Sequence, residues 1–141
     1  MEQRVIYPQK YEEILLTDDI RDWTVCQEVR FRYEIGEEKA IKSILLAPSD
    51  SYNGMLVIDG NHRVISIGEL GREIRSYVVS SNADREEIQR MAEKGLIATG
   101  GVSLGDFVTG VTRFDELIEE AEDFYRRNEE LSLRRYLDQV K

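Results

Sequence analysis

The chain is poor in the residues that most often announce a chemistry. It has one histidine and one cysteine, Cys26, in 141 residues. A lone cysteine forms no internal disulfide, and one histidine with one cysteine builds no usual zinc site. Two prolines, one tryptophan and the lack of any Pro/Gly/Ser-rich tract exclude a low-complexity linker or a repeat array. No apolar run approaches the roughly 20 residues that span a bilayer. With one cysteine and an opening unlike a secretory leader, a reducing, cytoplasmic setting is expected. Positive charge is also short. The formal net charge is -9, and acids outnumber bases in residues 1–81 (14 to 10) and in 82–141 (14 to 9). Nucleic acid is therefore an unfavoured partner by charge, with no footprint for a duplex, unless folding gathers a local basic face.

What is present suits one globular domain. The apolar fraction is 41% and the charged fraction 33%, ordinary for a folded protein. A chain this long buries about two-thirds of its unfolded surface and needs no metal or disulfide to hold it. Residues 1–81 read as an α/β core, 82–141 as a helical extension packed on it.

The pattern along the chain predicts a short opening strand at Val5-Ile6-Tyr7-Pro8, placed at an edge or a strand end by its proline. Thr17 is expected to cap a helical turn holding Ile20 and Trp23. Val25 to Tyr33 alternates apolar and polar residues and predicts a half-buried strand, with Cys26 as a small core residue. Glu37 to Ile41 favours a short helical turn. Ser43 to Ala47 predicts a strand, Pro48 to Gly54 a turn, and Met55 to Ile58 a buried strand. Arg75 to Ser80 predicts another. Asp84 to Gly95 reads as a helix carrying Ile88, Met91 and Ala92. Phe114, Leu117, Ile118, Ala121, Phe124 and Tyr125 keep helical spacing; the stripe suits core contact, with dimerisation as the functional alternative. Leu131 to Val140 extends that helix or forms a last one.

The richest segment is Asp59-Gly60-Asn61-His62-Arg63, which follows Met55 to Ile58 and contains the only histidine. Two readings compete. Asp-Gly between apolar runs is a hairpin signal. Alternatively a strand turns into a helix that runs from Asn61 and stops at Glu69-Leu70-Gly71. In the second case the helix N-terminus faces an anion, and Arg63 and His62 reach the same phosphate. Asp59 then holds magnesium or accepts a hydroxyl proton.

The segment Leu56 to Val64, with Glu69-Leu70-Gly71 and the strand near Tyr77-Val78-Val79, resembles the ParB/sulfiredoxin-like superfamily, best over residues 43–80. The resemblance implies a small mixed sheet with flanking helices and a phosphate-binding strand–turn–helix, here followed by a C-terminal helical extension. Sulfiredoxins carry a catalytic cysteine inside this turn; Asn61 stands there, so thiol chemistry is not expected. Partition proteins of the superfamily bind CTP at the turn, with an arginine pair and a following DNA-reading domain. The Asp-Gly-Asn-His-Arg form looks most like the free-serine kinases. By that likeness, Asp59 and His62 are the candidate catalytic residues, and Gly60, Asn61, His62 and Arg63 hold nucleotide phosphates. Asp59 is also the candidate magnesium ligand. The kinases' distant glutamate has no motif here; Glu28 and Glu34 are both candidates. The implied ligands are a nucleoside di- or triphosphate with magnesium and a small phosphate acceptor. The alternative is a non-catalytic regulatory or DNA-associated module, partition- or nuclease-like, with a homodimer compatible with either.

Three other features weigh less. Thr99-Gly100-Gly101, Gly105 and Gly110 fit neither a P-loop nor a dinucleotide fingerprint and suit a connection. Glu119-Glu120 and Glu122-Asp123 suit a solvated helix face. Arg126-Arg127 and Arg134-Arg135 are too few to reverse the acidic balance.

Overall fold

The computed structural model describes residues 1–19, 22–97, 102 and 104–140. It is an α+β protein built on a five-stranded mixed sheet. The strands are β1 (Glu2–Ile6), β2 (Ile14–Leu15), β3 (Ile44–Pro48), β4 (Met55–Asp59) and β5 (Ile74–Val78), ordered β1-β5-β3-β4-β2. β1 pairs antiparallel with β5, and β3 antiparallel with β4. The pairs β3/β5 and β2/β4 are parallel. Leu15 also forms an isolated bridge with Ser132 on the outer side of β2.

Helices cover both faces. They are α1 (Trp23–Glu34), α2 (Asn61–Glu69), α3 (Arg85–Glu93), α4 (Leu104–Val108), α5 (Phe114–Arg127) and α6 (Leu133–Gln139). Alternation along the central strands sorts the core. Ile44, Leu46 and Val57 face Val29 of α1, Val64 and Ile65 of α2, and Leu133 and Leu137 of α6. Leu45, Leu56 and Ile58 face Ile88 of α3, Phe107 of α4, and Leu117, Ile118 and Ala121 of α5. β4 is thus buried on both sides, which explains its unbroken apolar run. Each such side chain contributes about 1.5–3 kcal/mol by leaving water. Most of the Phe114 stripe is core.

The sheet's left edge begins earlier than the opening apolar run indicated, at Glu2, and Pro8 starts a 3-10 helix (Pro8–Glu13) rather than ending a strand. The expected turn near Glu37 is a 3-10 helix at Glu38–Ala40, and a left-handed Gly71 follows α2. Leu131 to Val140 is a separate helix. Glu129 and Glu130 adopt left-handed φ of 59° and 52°, and Ser132 caps the new start by accepting from Arg135 N.

Three expectations are overturned. Glu122 is not on a solvated helix face but buried, accepting from Ser49 and Ser51; the other two lie at and before α1. Val25 to Tyr33 is helix, not strand. Its buried residues, Cys26 and Val29, lie three apart, and Val25 and Tyr33 flank them at helical spacing. The residues that completed the apparent alternation point outward, Phe31 being 53% exposed. The cap is Asp22, whose Oδ1 accepts from Thr24 N at 2.9 Å and Val25 N at 3.1 Å. Thr17 is therefore not the cap of α1. It is buried, and its hydroxyl donates to the Val57 carbonyl at 2.8 Å; Ile20 lies outside the described residues. Thr99, Gly100 and Gly101 also lie outside them, and α4 was not anticipated.

Candidate functional site

β4 carries its apolar side chains into the core and ends on Asp59. Gly60 then turns the chain into α2 with φ of 108°, a left-handed conformation that suits only glycine. The hairpin reading is thereby excluded. Space makes the same demand. A Cβ on Gly60 would lie 3.0 Å from Arg63 Nη2 and 3.1 Å from Ile44 Cγ1. Arg63 folds back across this glycine, and its Nη2 donates to Asp59 Oδ2 at 2.9 Å and to the Ser43 carbonyl at 3.1 Å. The side chains of this pair are 15% and 8% exposed. Gly60 has no side chain with which to cap α2.

The turn opens on a cleft of about 520 Å³. Asp59, Gly60, Asn61, His62 and Arg63 line one part of it, and Thr17 and Asp18 another. Val25, Ile58, Val102 and Phe124 supply apolar wall. All five residues picked out from the sequence are therefore together.

They do not play equivalent parts. Asn61 turns its side chain to the neighbouring strand: Oδ1 accepts from Thr17 N at 3.0 Å and Asp18 N at 3.2 Å, and Nδ2 donates to Thr17 Oγ1 at 2.9 Å. It is a strap between the end of β2 and the start of α2. His62 is half-buried at the cleft wall. Its carbonyl accepts from the Ser66 hydroxyl at 2.9 Å, and Cys26 Sγ lies 2.9 Å from that Ser66 Oγ. Cys26 is thus a core residue, on a helix rather than a strand.

Asp18 is the residue that sequence reasoning missed. β2 runs parallel to β4, with Ile14 opposite Met55 and Leu15 opposite Leu56. The acids that follow these two strands consequently emerge at the same end of the sheet. The carboxyl ends of parallel strands are where open α/β sheets place ligands. The signal was available: Ile14-Leu15-Leu16 followed by Thr17-Asp18 repeats the apolar-run-then-acid pattern of Met55 to Asp59. The other candidate carboxylates fail on position. Glu28 and Glu34 are exposed on α1, and neither lines the cleft. Among the described residues, no group of three or more His, Cys, Asp or Glu is arranged to hold a metal ion. Two carboxylates at one cleft nevertheless suit magnesium, which usually takes one or two protein carboxylates beside phosphate oxygens and water.

Comparison of the chain with protein-family models, curated proteins and solved structures finds no match. Among the described residues no helix is long and apolar enough to cross a membrane.

Proposed function

We propose that this chain binds a nucleotide with its phosphates at the Gly60–Arg63 turn, and transfers a phosphoryl group from it or hydrolyses it. The observation that carries the reading is the turn itself. A left-handed glycine, with no side chain to cap the helix it begins, joins a buried strand to α2, and an arginine fixes the strand's terminal aspartate at a cleft. The helix start favours negative charge. His62 lies beside it to donate to phosphate oxygens. Asp59 is the group to accept the proton of an attacking hydroxyl or water, and Arg63 positions it. Asp59 and Asp18 would hold magnesium, which supplies charge neutralisation for the phosphates. The resemblance to free-serine kinases supports the same assignment, as does the placement of Asp18 as a second carboxylate.

The test is thermal denaturation with ATP, ADP, CTP and GTP, each with magnesium. A ligand at about 100 times its Kd stabilises by about 2.7 kcal/mol. Arg63→Ala removes the effect; Arg63→Lys, which keeps the charge beside Asp59, separates lost binding from a damaged fold. An unchanged melting temperature across the panel counts against the proposal. A second reading, a nucleotide-responsive module without turnover, is favoured by the ion pair that already engages Asp59 Oδ2. Phosphate release that disappears in Asp59→Asn while binding survives marks an enzyme; binding with no release in the parent marks a switch.

A further inference from the structure

A second groove, larger than the cleft at the turn, lies elsewhere. It measures about 790 Å³ and lies between the β1/β5 side of the sheet, the C-terminal end of α1, the segment Glu38–Lys42 and the turn from α2 into β5. Its floor crosses three strands, because Arg4 and Ile44 are both register partners of Ser76. Its charge is unlike that of the chain. Arg4, Lys39, Lys42, Arg72 and Arg75 line it against two acids, Glu38 and Glu73, in a protein of net charge -9. Arg4 pairs with Glu2, outside the groove lining, and Arg75 with Glu73. Among the described residues, Lys39, Lys42 and Arg72 form no ion pair, and all three are exposed.

Three aromatic rings, Tyr7, Tyr33 and Tyr77, line the groove together with these cations. Tyr7 is 55% exposed at the end of β1. Tyr77 is held by Gln3 Nε2, which donates to its hydroxyl at 3.0 Å. Tyr33 lies under the Arg72 guanidinium, 5.6 Å from the ring centre. Burial first, and then the nearby Glu38, push the Tyr33 hydroxyl above its usual range, so the ring stays neutral. A groove that combines cations with neutral rings matches the pattern that holds a sugar–phosphate backbone while bases stack. Small-molecule pockets are lined mainly by apolar groups, with few charges. Duplex DNA is a poor fit, because the rings have no unstacked base to receive.

We infer that this groove binds a short single-stranded nucleic acid, with Lys39, Lys42 and Arg72 on its phosphates and Tyr7 stacked on a base. The inference does not rest on the chemistry of the Asp59–Arg63 turn, although Ser43, whose carbonyl Arg63 holds, lines the groove too.

The experiment is fluorescence anisotropy with labelled oligo-dT and oligo-U of about eight nucleotides, within the range single-strand sites cover. Saturable binding is expected at low salt. Three phosphate contacts imply a loss of about 20-fold between about 50 and about 200 mM salt. Lys42→Glu with Arg72→Glu should weaken binding at least about tenfold and flatten the salt dependence. Tyr7→Ala should cost about tenfold through lost stacking. Asp59→Asn and Arg63→Lys should leave oligonucleotide binding unchanged, which separates this site from the turn. Lys39→Glu with Lys42→Glu repeats the test should the Arg72 variant misfold. No binding at low salt overturns the inference, as does binding that survives both charge reversals. Equal competition by a mononucleotide or inorganic phosphate at matched phosphate concentration also overturns it, since the groove would then take only a small anion.

Discussion

Removing the Asn61 strap gives a direct measure of how the cleft is held. In Asn61→Ala, Thr17 N and Asp18 N lose their acceptor, and Thr17 Oγ1 loses a donor. Each hydrogen bond contributes about 1 kcal/mol net, more where a buried donor is left unsatisfied. Thr17 is buried, but Asp18 is half-exposed and can recruit water. The expected loss is therefore about 2 kcal/mol rather than three full bonds' worth. Urea unfolding should show a midpoint lowered by about 1 M at unchanged slope. The melting temperature should fall by about 6 °C. Asn61→Asp offers no rescue. Its second oxygen would face Thr17 Oγ1, whose proton already goes to the Val57 carbonyl, and it would add a third carboxylate to the cleft. A double-mutant cycle with Thr17→Val should return a coupling of about 1 kcal/mol. An Asn61→Ala protein within about 0.5 kcal/mol of the parent, the range of ordinary surface substitutions, would refute the strap.

Three further outcomes follow from other contacts. Glu122 is buried and accepts from Ser49 Oγ at 2.6 Å and Ser51 N at 2.8 Å, so it ties the loop before β4 to α5. Glu122→Ala should destabilise by about 2 kcal/mol in chemical denaturation, and increased proteolysis near Tyr52 should accompany it. Glu130→Gly should stabilise by about 0.5–1 kcal/mol, because its left-handed backbone is strained for any residue with a Cβ; a lower melting temperature would refute this. Burial pushes the Tyr11 hydroxyl up to about 12, against the opposing effect of Arg134. Its folded value lies above the unfolded value of 10.0, so its contribution is complete below pH 10.0 and is lost as pH rises toward 12. Tyr11→Phe should show less alkaline destabilisation than the parent between those limits, monitored by circular dichroism and tyrosinate absorbance.

Much of the sheet was legible because its central strands obey a single constraint. Met55 to Ile58 is apolar at every position, and only burial on both faces explains that. The start of α2 was legible from Gly60 and the stop at Gly71. Helix α1 was not. Its exposed face carries Trp23, at 64% exposure, and Phe31, so its apolar residues do not segregate and a period-2 pattern arises by accident. The five turn residues could be named from sequence because they are contiguous. Asp18 repeats the apolar-run-then-acid pattern, but pairing it with them requires knowing that β2 lies beside β4. The basic groove was hidden for the same reason. Its cations come from three separate stretches of the chain, and net charge averages them away.

Strand order has a consequence for self-association. A sheet's outer strands present unpaired backbone groups that can template another chain. Here one border, β2, is two residues long and is closed further by its bridge to Ser132 and by Leu16 N donating to the Leu131 carbonyl at 3.0 Å. The other border, β1, alternates charge into its exposed length at Glu2 and Arg4. The continuous apolar strands that would be hazardous at a border, β3 and β4, are enclosed between neighbours. The same arrangement that sends two acids to one cleft therefore also keeps the most aggregation-prone segments of the chain away from any open edge.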